Sequence, residues 1–376
     1  MNILELCLSP SLGGLELYAF RSSLALSGKH HVISVIVTDG KLAGRYAENP
    51  ELEVRHYRYS RSYLPLTNAR KLAALIDEND IDILHMHWGN DLALAALAKT
   101  LSAKKPRLVY TRQMLITRMK NDIYHRFLYR RMDLMLTITR ALEKSAQELI
   151  PYATARITTL YYGVKSPASF LDAENIGKQR ASLGFDADDF IAGLFGRLEH
   201  GKGQHLLIEA LAAAKKDGID MKALLVGHEM TPGYIDTLKQ LADELGVSSN
   251  IVFSGFVPDP QALMQLCDCV VLATFEETFG LVLPEAMRAG VAVLGSNAGG
   301  VPEIIKHEQT GLLFETRDAR SLYAQLARLY NQPALKQRLA ANGKRRADED
   351  FNEHKHFDEL ERHFSTLLGG HQPAEL

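Results

Sequence analysis

Short apolar runs rich in Val, Ile and Leu alternate along the chain with longer segments whose apolar positions recur at helical spacing. NILELCL (2–8), HVISVIV (31–37), DILHMH (82–87), RLVYT (107–111) and DLMLTIT (133–139) predict strands. LELYAFRSSLALSG (15–28) and NARKLAALIDEND (68–80) predict helices between them. Near-continuous apolar strands spaced by helices predict a parallel sheet covered on both faces. The pattern then restarts with DFIAGLF (189–195), KALLVG (222–227), NIVFSG (250–255), CVVLAT (269–274) and VAVLGS (291–296) as strands. HLLIEALAAAKK (205–216), YIDTLKQLADELG (234–246) and ALMQLC (262–267) are the helices among them. Two doubly wound α/β sheets in series follow, with TLYYGVKSPASF (159–170) as linker, one domain over residues 1–165 and a second over 166–355. Ligands of such sheets bind beyond the carboxyl ends of the strands, so the loops after strands are the places to look for chemistry.

Composition agrees with that division. A chain of 376 residues exceeds the ~250 to 300 at which a single core stops growing. Cys7, Cys267 and Cys269 are too few for a disulfide framework and sit in core-like segments, which predicts buried thiols and a reducing, cytoplasmic location. MNILELCLSP has neither the charge nor the length of a secretory leader, no apolar run approaches the ~18 residues of a membrane span, and the tail GGHQPAEL reads as frayed.

Charge changes the picture more. The formal net charge is −2, yet residues 1–165 carry 23 Lys and Arg against 15 Asp and Glu (+8), and the remainder 20 against 30 (−10). The excess concentrates in residues 104–140, where Arg, Lys, Tyr and Phe are interleaved. This suits an anionic partner such as a phosphorylated acceptor or lipid headgroups at the inner face of a membrane, and equally a solvated amphipathic helix over YHRFLYRRMDLM (124–135). Nucleic acid ranks below both.

Several loops carry candidate chemistry. Gly13 and Gly14 follow the first strand, where paired glycines let amides approach an anion or simply make a tight turn; the GxGxxG spacing is absent. GRLEHGKG (196–203) approximates a phosphate loop, but Gly203 replaces its Mg-binding Ser or Thr. What remains is two cations, Arg197 and Lys202, on a flexible loop, fit to clamp a diphosphate without a metal. His85 and His87 share one side of a strand; zinc would need a third ligand that no spacing supplies, and an imidazole at a strand end in a cleft can contact a sugar or phosphate instead. Asp80 and Asp82 precede that strand and read as helix-end solvation. GGVPE (299–303) suffices as a helix start. In FEETFGLVLPEAM (275–287) a helix over about 280–289 places Glu277 before it and Glu285 on its second turn; Glu285 can accept hydrogen bonds from a vicinal diol or pair with Arg288.

Taken in order, GGLE (13–16), GRLEHGKG (196–203), VFSGFVPD (252–259), ETFGLVLPEAMRAGVAVLGS (277–296) and GGVPEII (299–305) resemble the retaining glycosyltransferases of family 4, also called glycosyl transferase group 1. The resemblance is strong over 190–315 and looser before. It implies the GT-B fold, two Rossmann-like domains facing a cleft, with a final helix at about 356–372 crossing back to the first. It implies that Arg197 and Lys202 neutralise the donor diphosphate, that Glu285 holds the ribose, and that Glu277 lies near the donor sugar. Amides of Phe279, Gly280 and Leu281 would meet its hydroxyls or phosphate, Val257 the base, and Gly14 the diphosphate. The family's T-x-H histidine is replaced by Gln113, so a donor contact is altered or His85 or His87 compensates.

The reading is a retaining, metal-independent glycosyltransferase needing no cofactor, which moves a sugar from a nucleotide donor, by family habit a UDP-sugar, to a glycan or phosphorylated glycolipid. Lipopolysaccharide core or polysaccharide synthesis is the expected setting. The rivals are a GT-B-type nucleotide-sugar epimerase and a non-catalytic nucleotide-sugar or lipid-surface binding protein.

Overall fold

The computed structural model describes residues 1–58, 64–150 and 157–369. The chain divides into two units, Met1–Tyr161 with His354–Leu376, and Tyr162–Glu353. The division falls inside the predicted linker and four residues before the predicted boundary.

In unit 1 the strands are β1 (Asn2–Cys7), β2 (His31–Val37), β3 (Glu53–Tyr57), β4 (Ile83–Met86), β5 (Arg107–Arg112), β6 (Leu134–Thr137) and β7 (Ile157–Thr159). All pairings are parallel, in the order β3-β2-β1-β4-β5-β6-β7. Helices α1 (Gly14–Ser27), α2 (Ala43–Ala47), α3 (Leu66–Glu78), α4 (Leu92–Leu101), α5 (Ile123–Tyr129) and α6 (Arg140–Leu149) connect them. The central strands bury both faces, as their apolar runs require; β1 reads NILELC with all but its first residue buried.

Unit 2 repeats the plan with α7 (Ala173–Ser182), β8 (Phe190–Phe195), α8 (Gln204–Lys216), β9 (Met221–Val226), α9 (Tyr234–Glu244), β10 (Ile251–Gly255) and α10 (Gln261–Met264). It continues with β11 (Cys269–Leu272), α11 (Val282–Arg288), β12 (Ala292–Ser296), α12 (Val301–Ile304), β13 (Leu312–Phe314), α13 (Ala319–Asn331) and α14 (Pro333–Asp350). Its sheet runs β10-β9-β8-β11-β12-β13, again all parallel. Helix α15 (Glu353–Leu367) returns to unit 1 from His354 onward. It begins three residues before the predicted 356, stacks Phe357 on Tyr18 at 6.1 Å and sets Phe364 edge-on to His85 at 5.2 Å.

Two sequence expectations change. The basic amphipathic helix expected over 124–135 stops at Tyr129, because Leu134 begins β6 and the chain must extend to reach it. The helix expected over 280–289 is the seven-residue α11, so Glu285 stands in its first turn rather than its second. The expected fraying of the tail from Gly370 onward lies outside the described residues. The three cysteines are free and buried, and burial raises each thiol. Among the described residues no helix is long and apolar enough to cross a membrane.

Candidate active site

In unit 2 the strand order reverses between β8 and β11, and the loops leaving those strands flank the crevice where such sheets take ligands. The loop after β8 turns at Gly196 (φ +143°), runs beside the loop after β9 through Leu198 N–H to the His228 carbonyl (2.8 Å), and enters α8 at Gly203. Gly203 has φ +72°, and a Cβ there would stand 2.2 Å from the Ala273 carbonyl oxygen. Only glycine permits both the left-handed turn and this approach to the end of β11.

Hydrogen bonds stitch the loops together. Phe275 N–H donates to the Gly201 carbonyl at 2.9 Å and the Thr274 hydroxyl to the same oxygen at 3.3 Å. Ser296 Oγ at the end of β12 donates to the Thr274 carbonyl at 2.7 Å, and from the loop that follows Gly300 N–H donates to the Glu277 carbonyl at 2.9 Å. Gly299 (φ +56°) passes so close that a Cβ would lie 2.0 Å from the Glu277 carbonyl oxygen. The GGVPE segment is therefore more than a helix start, since it anchors the main chain of Glu277.

This framework brings Lys202 Nζ to 2.9 Å from Glu277 Oε2, both side chains about one-fifth exposed. Arg197, half-exposed, pairs with Glu199 at 3.0 Å. Phe279 is buried between Tyr162 (5.3 Å) and Phe351 (5.9 Å), which fixes the turn into α11. Gly280 (φ +92°) follows, where a Cβ would meet Leu272 at 2.7 Å. Leu281 and Glu285 at the start of α11 are partly exposed, while Arg288 turns away to Asp348 (3.1 Å) and the Val164 carbonyl. Val257 stands two residues past Gly255, whose carbonyl accepts the Gly227 amide at 2.9 Å. Sequence reasoning passed over His200 and His205, which stack at 4.4 Å beside Lys202 with Phe275 edge-on to both; burial and then His200 hold His205 below its ordinary value. Their i, i+5 spacing across a glycine turn gave no periodic signal.

Two family patterns divide the chain between them: Glycosyltransferase Family 4 matches residues 12–166, and Glycosyl transferases group 1 matches residues 175–346. The chain is a family 4 glycosyltransferase. It is 26% identical over 371 residues to the N-acetyl-alpha-D-glucosaminyl L-malate synthase of Bacillus anthracis, covering 96% of this chain and 95% of that protein. It is 26% identical to the lipopolysaccharide core biosynthesis mannosyltransferase LpcC of Rhizobium leguminosarum, over 76% and 79%. Among solved structures, Anabaena HepE in complex with UDP matches with a TM-score of 0.86 at 24% identity over 97% of this chain and 100% of that one. A Rickettsia africae glycosyltransferase matches with a TM-score of 0.88 at 20% identity over 98% of each. The fold of this family 4 glycosyltransferase is accordingly GT-B.

In unit 1 of the glycosyltransferase, the glycine pair after β1 is partly spoken for. Glu16, in the first turn of α1, accepts the Gly13 amide at 2.8 Å and the Ser9 hydroxyl, and Gly14 opens α1, exposed. His85 and His87 lie elsewhere than expected. Neither faces a cleft: both are fully buried, their rings 4.3 Å apart, around the buried carboxylate of Glu5. His85 Nδ1 is 3.1 Å and His87 Nε2 2.5 Å from Glu5, while His85 Nε2 meets the Thr111 hydroxyl at 2.7 Å. Alternation on β4 did put the two on one side, but that side faces the interior beneath α1 and α15. Burial pushes Glu5 up, and the charges and hydrogen bonds of His85 and His87 outweigh it, holding Glu5 at about 2. Burial, then His85, lowers His87 to about 4 against the pull of Glu5. These three side chains could reach one ion, Glu5 being the third ligand that sequence spacing did not supply; Glu5 is hydrogen-bonded to both imidazoles, while His87 Nδ1 is buried without a hydrogen-bond partner among the described residues. Gln113, just past β5, is buried as well. Asp80 is exposed just past the end of α3, as expected, and pairs with Lys104 at 2.6 Å; Asp82 instead accepts the Asn2 amide of β1 at 2.9 Å and so braces the sheet rather than a solvated helix end.

Proposed function

We propose that this chain transfers a sugar, with retention of anomeric configuration and without a metal, from a UDP-sugar bound by unit 2 to a hydroxyl of a glycan or lipid-linked acceptor engaged by unit 1. The observation that carries the donor side is the meeting of Lys202 and Glu277 at the point where the strand order of unit 2 reverses, with Arg197 on the same loop as Lys202.

The two cations take the diphosphate, and their charge stabilises it as the bond from the anomeric carbon to the β-phosphate oxygen breaks. The acceptor oxygen forms the new bond on the same face, and its proton leaves with the departing diphosphate. Glu277, held near the sugar by its hydrogen-bonded main chain, supports the positive charge developing on the ring. Glu285 accepts hydrogen bonds from the ribose hydroxyls, the amides of Phe279 to Leu281 face the phosphate or sugar, and Val257 lies by the base through its backbone. Gly14 would approach the diphosphate from unit 1. The UDP bound by HepE supports the choice of base, and the mannosyltransferase named for lipopolysaccharide core biosynthesis supports an acceptor destined for the cell surface.

The test is UDP release from a panel of UDP-sugars with and without acceptor extract, followed by the anomeric configuration of the product. Transfer with retention supports the assignment. Interconversion of the donor sugar without transfer marks an epimerase, and the absence of both turnover and ligand-induced stabilisation marks neither enzyme.

A further inference from the structure

Unit 1 contains a cavity of about 880 Å³ that none of the donor contacts above uses. The loop after β4 and the chain from the end of β5 into α5 form its walls. Trp88, Tyr110 and Tyr124 give it aromatic surface; Arg112, Arg118 and Lys120 give it three cations; no Asp or Glu lines it.

No carboxylate lines the cavity to pair with these charges. The Arg112 guanidinium is fixed by neutral acceptors, the carbonyls of Met114 and Leu115 at 2.8 Å each and the Tyr110 hydroxyl at 3.1 Å. Gly89 leaves the space for this arrangement, since a Cβ there would stand 3.0 Å from the Tyr110 hydroxyl and 3.5 Å from Arg112. Among the described residues no carboxylate pairs with Arg112, Arg118 or Lys120; the adjacent Asp122 is engaged by His125 at 2.5 Å. Lys120 is held below the ordinary ammonium range by partial burial first, then by repulsion from Arg118 and Arg112, with Asp122 acting the other way. Three like charges gathered in a concave site are stabilised by an anion, and a phosphate offers enough oxygens and charge for several of them. Aromatic side chains beside them suit the apolar face of a sugar ring, and the volume is that of a small-molecule site.

We propose that this cavity binds a phosphate-bearing, polyhydroxylated acceptor, its phosphate on Arg118 and Lys120 beside the fixed Arg112 and its ring against Trp88 or Tyr124. The proposal rests on the transferase reading above and names the class of acceptor that unit 1 selects. Met119 and Ile123 next to the cavity are exposed, so the sugar phosphate can be free or carried on a lipid.

Titration calorimetry on the whole chain tests it, with glucose 6-phosphate, glucose, inorganic phosphate and UDP as separate probes. The proteins are the wild type, the Arg118→Ala/Lys120→Ala double variant, and Lys41→Ala as an exposed-cation control. Glucose 6-phosphate is expected to bind more tightly than glucose or phosphate. The double variant should lose at least about tenfold of that affinity, the control none, and UDP affinity should be equal in all three. Absence of glucose 6-phosphate binding, or equal binding by wild type and double variant, overturns the proposal. In that case phosphatidylglycerol vesicles that sediment the wild type but not the double variant would assign the cations to a membrane surface. Failure of UDP to bind any of the proteins would undo the donor assignment in unit 2 and leave the cavity's result standing.

Discussion

Lys202 and Glu277, 75 positions apart in sequence, meet as an ion pair of 2.9 Å across the loops that leave β8 and β11. The cation expected at a diphosphate and the acid expected at its sugar are thus neighbours before any ligand arrives. Each side chain is only about one-fifth exposed, so the desolvation of both charges offsets much of their attraction and the net contribution to folding is small. A double-mutant cycle with Lys202→Ala and Glu277→Ala, read by denaturant unfolding, should give a coupling of no more than about 1 kcal/mol. A coupling several times larger would make the pair structural.

Glycines that carry loops against one another should matter more than those that merely turn. Gly299 and Gly184 both have left-handed φ, yet a Cβ at Gly184 meets nothing within 4 Å, whereas at Gly299 it meets the Glu277 carbonyl at 2.0 Å. Gly184→Ala should cost about 1 to 2 kcal/mol with unchanged turnover. Gly299→Ala adds displacement of the Glu277 main chain, so it should lower both the unfolding midpoint and the rate of UDP release.

Unit 1 should lose stability in acid. His356, buried between the Tyr18 hydroxyl (2.9 Å) and the Tyr161 carbonyl (2.7 Å), is lowered to about 3, chiefly by burial, and His87 to about 4. Each binds its proton more readily unfolded than folded. Their contribution is complete above about 6.5 and is lost as pH falls toward the folded values, at up to about 1.4 kcal/mol per proton per pH unit. Glu5, lowered to about 2, adds loss below about 4.5. Asp91 works in the opposite direction: burial raises it to about 7 despite its bond to the Leu8 amide, so its contribution is present in acid and lost as pH rises from about 4 to 7. Unfolding midpoints between pH 4 and about 6 should rise with pH, less steeply in His356→Gln and more steeply in Asp91→Asn.

If Arg197 and Lys202 do the work of a metal at the diphosphate, a chelator in excess should leave the rate of UDP release unchanged. Abolition by chelator and restoration by a divalent ion would contradict the clamp.

Much of the fold is legible in the sequence. Strands buried on both faces are predominantly apolar, so β1, β2, β4, β5, β8, β9, β11 and β12 stand out, and the restart of the pattern marks the second unit. The missed strands are β3, β7 and β13, all at sheet edges, and they are either half exposed, as EVRHY is, or only three residues long. Arg197, Lys202, Glu277 and Glu285 stand out as donor-side candidates by loop position and resemblance, because glycine turns and charges after strands leave a local mark. Two features needed the fold. Alternation groups His85 with His87 but does not say whether that face meets a cleft or the core, which Glu5, Tyr18 and α15 decide. Tertiary contact likewise turns GGVPE from a helix start into a brace for Glu277.

The most direct measurement compares UDP affinity and UDP-sugar turnover in Lys202→Ala and Glu277→Gln. Lys202→Ala should weaken UDP itself and reduce turnover by roughly a hundredfold, since it removes a charge from the leaving group. Glu277→Gln should hold UDP within about twofold of the wild type while turnover falls by a comparable factor, since it acts at the sugar. Wild-type turnover in either variant would contradict the assignment of these two residues to the donor diphosphate and the reacting sugar.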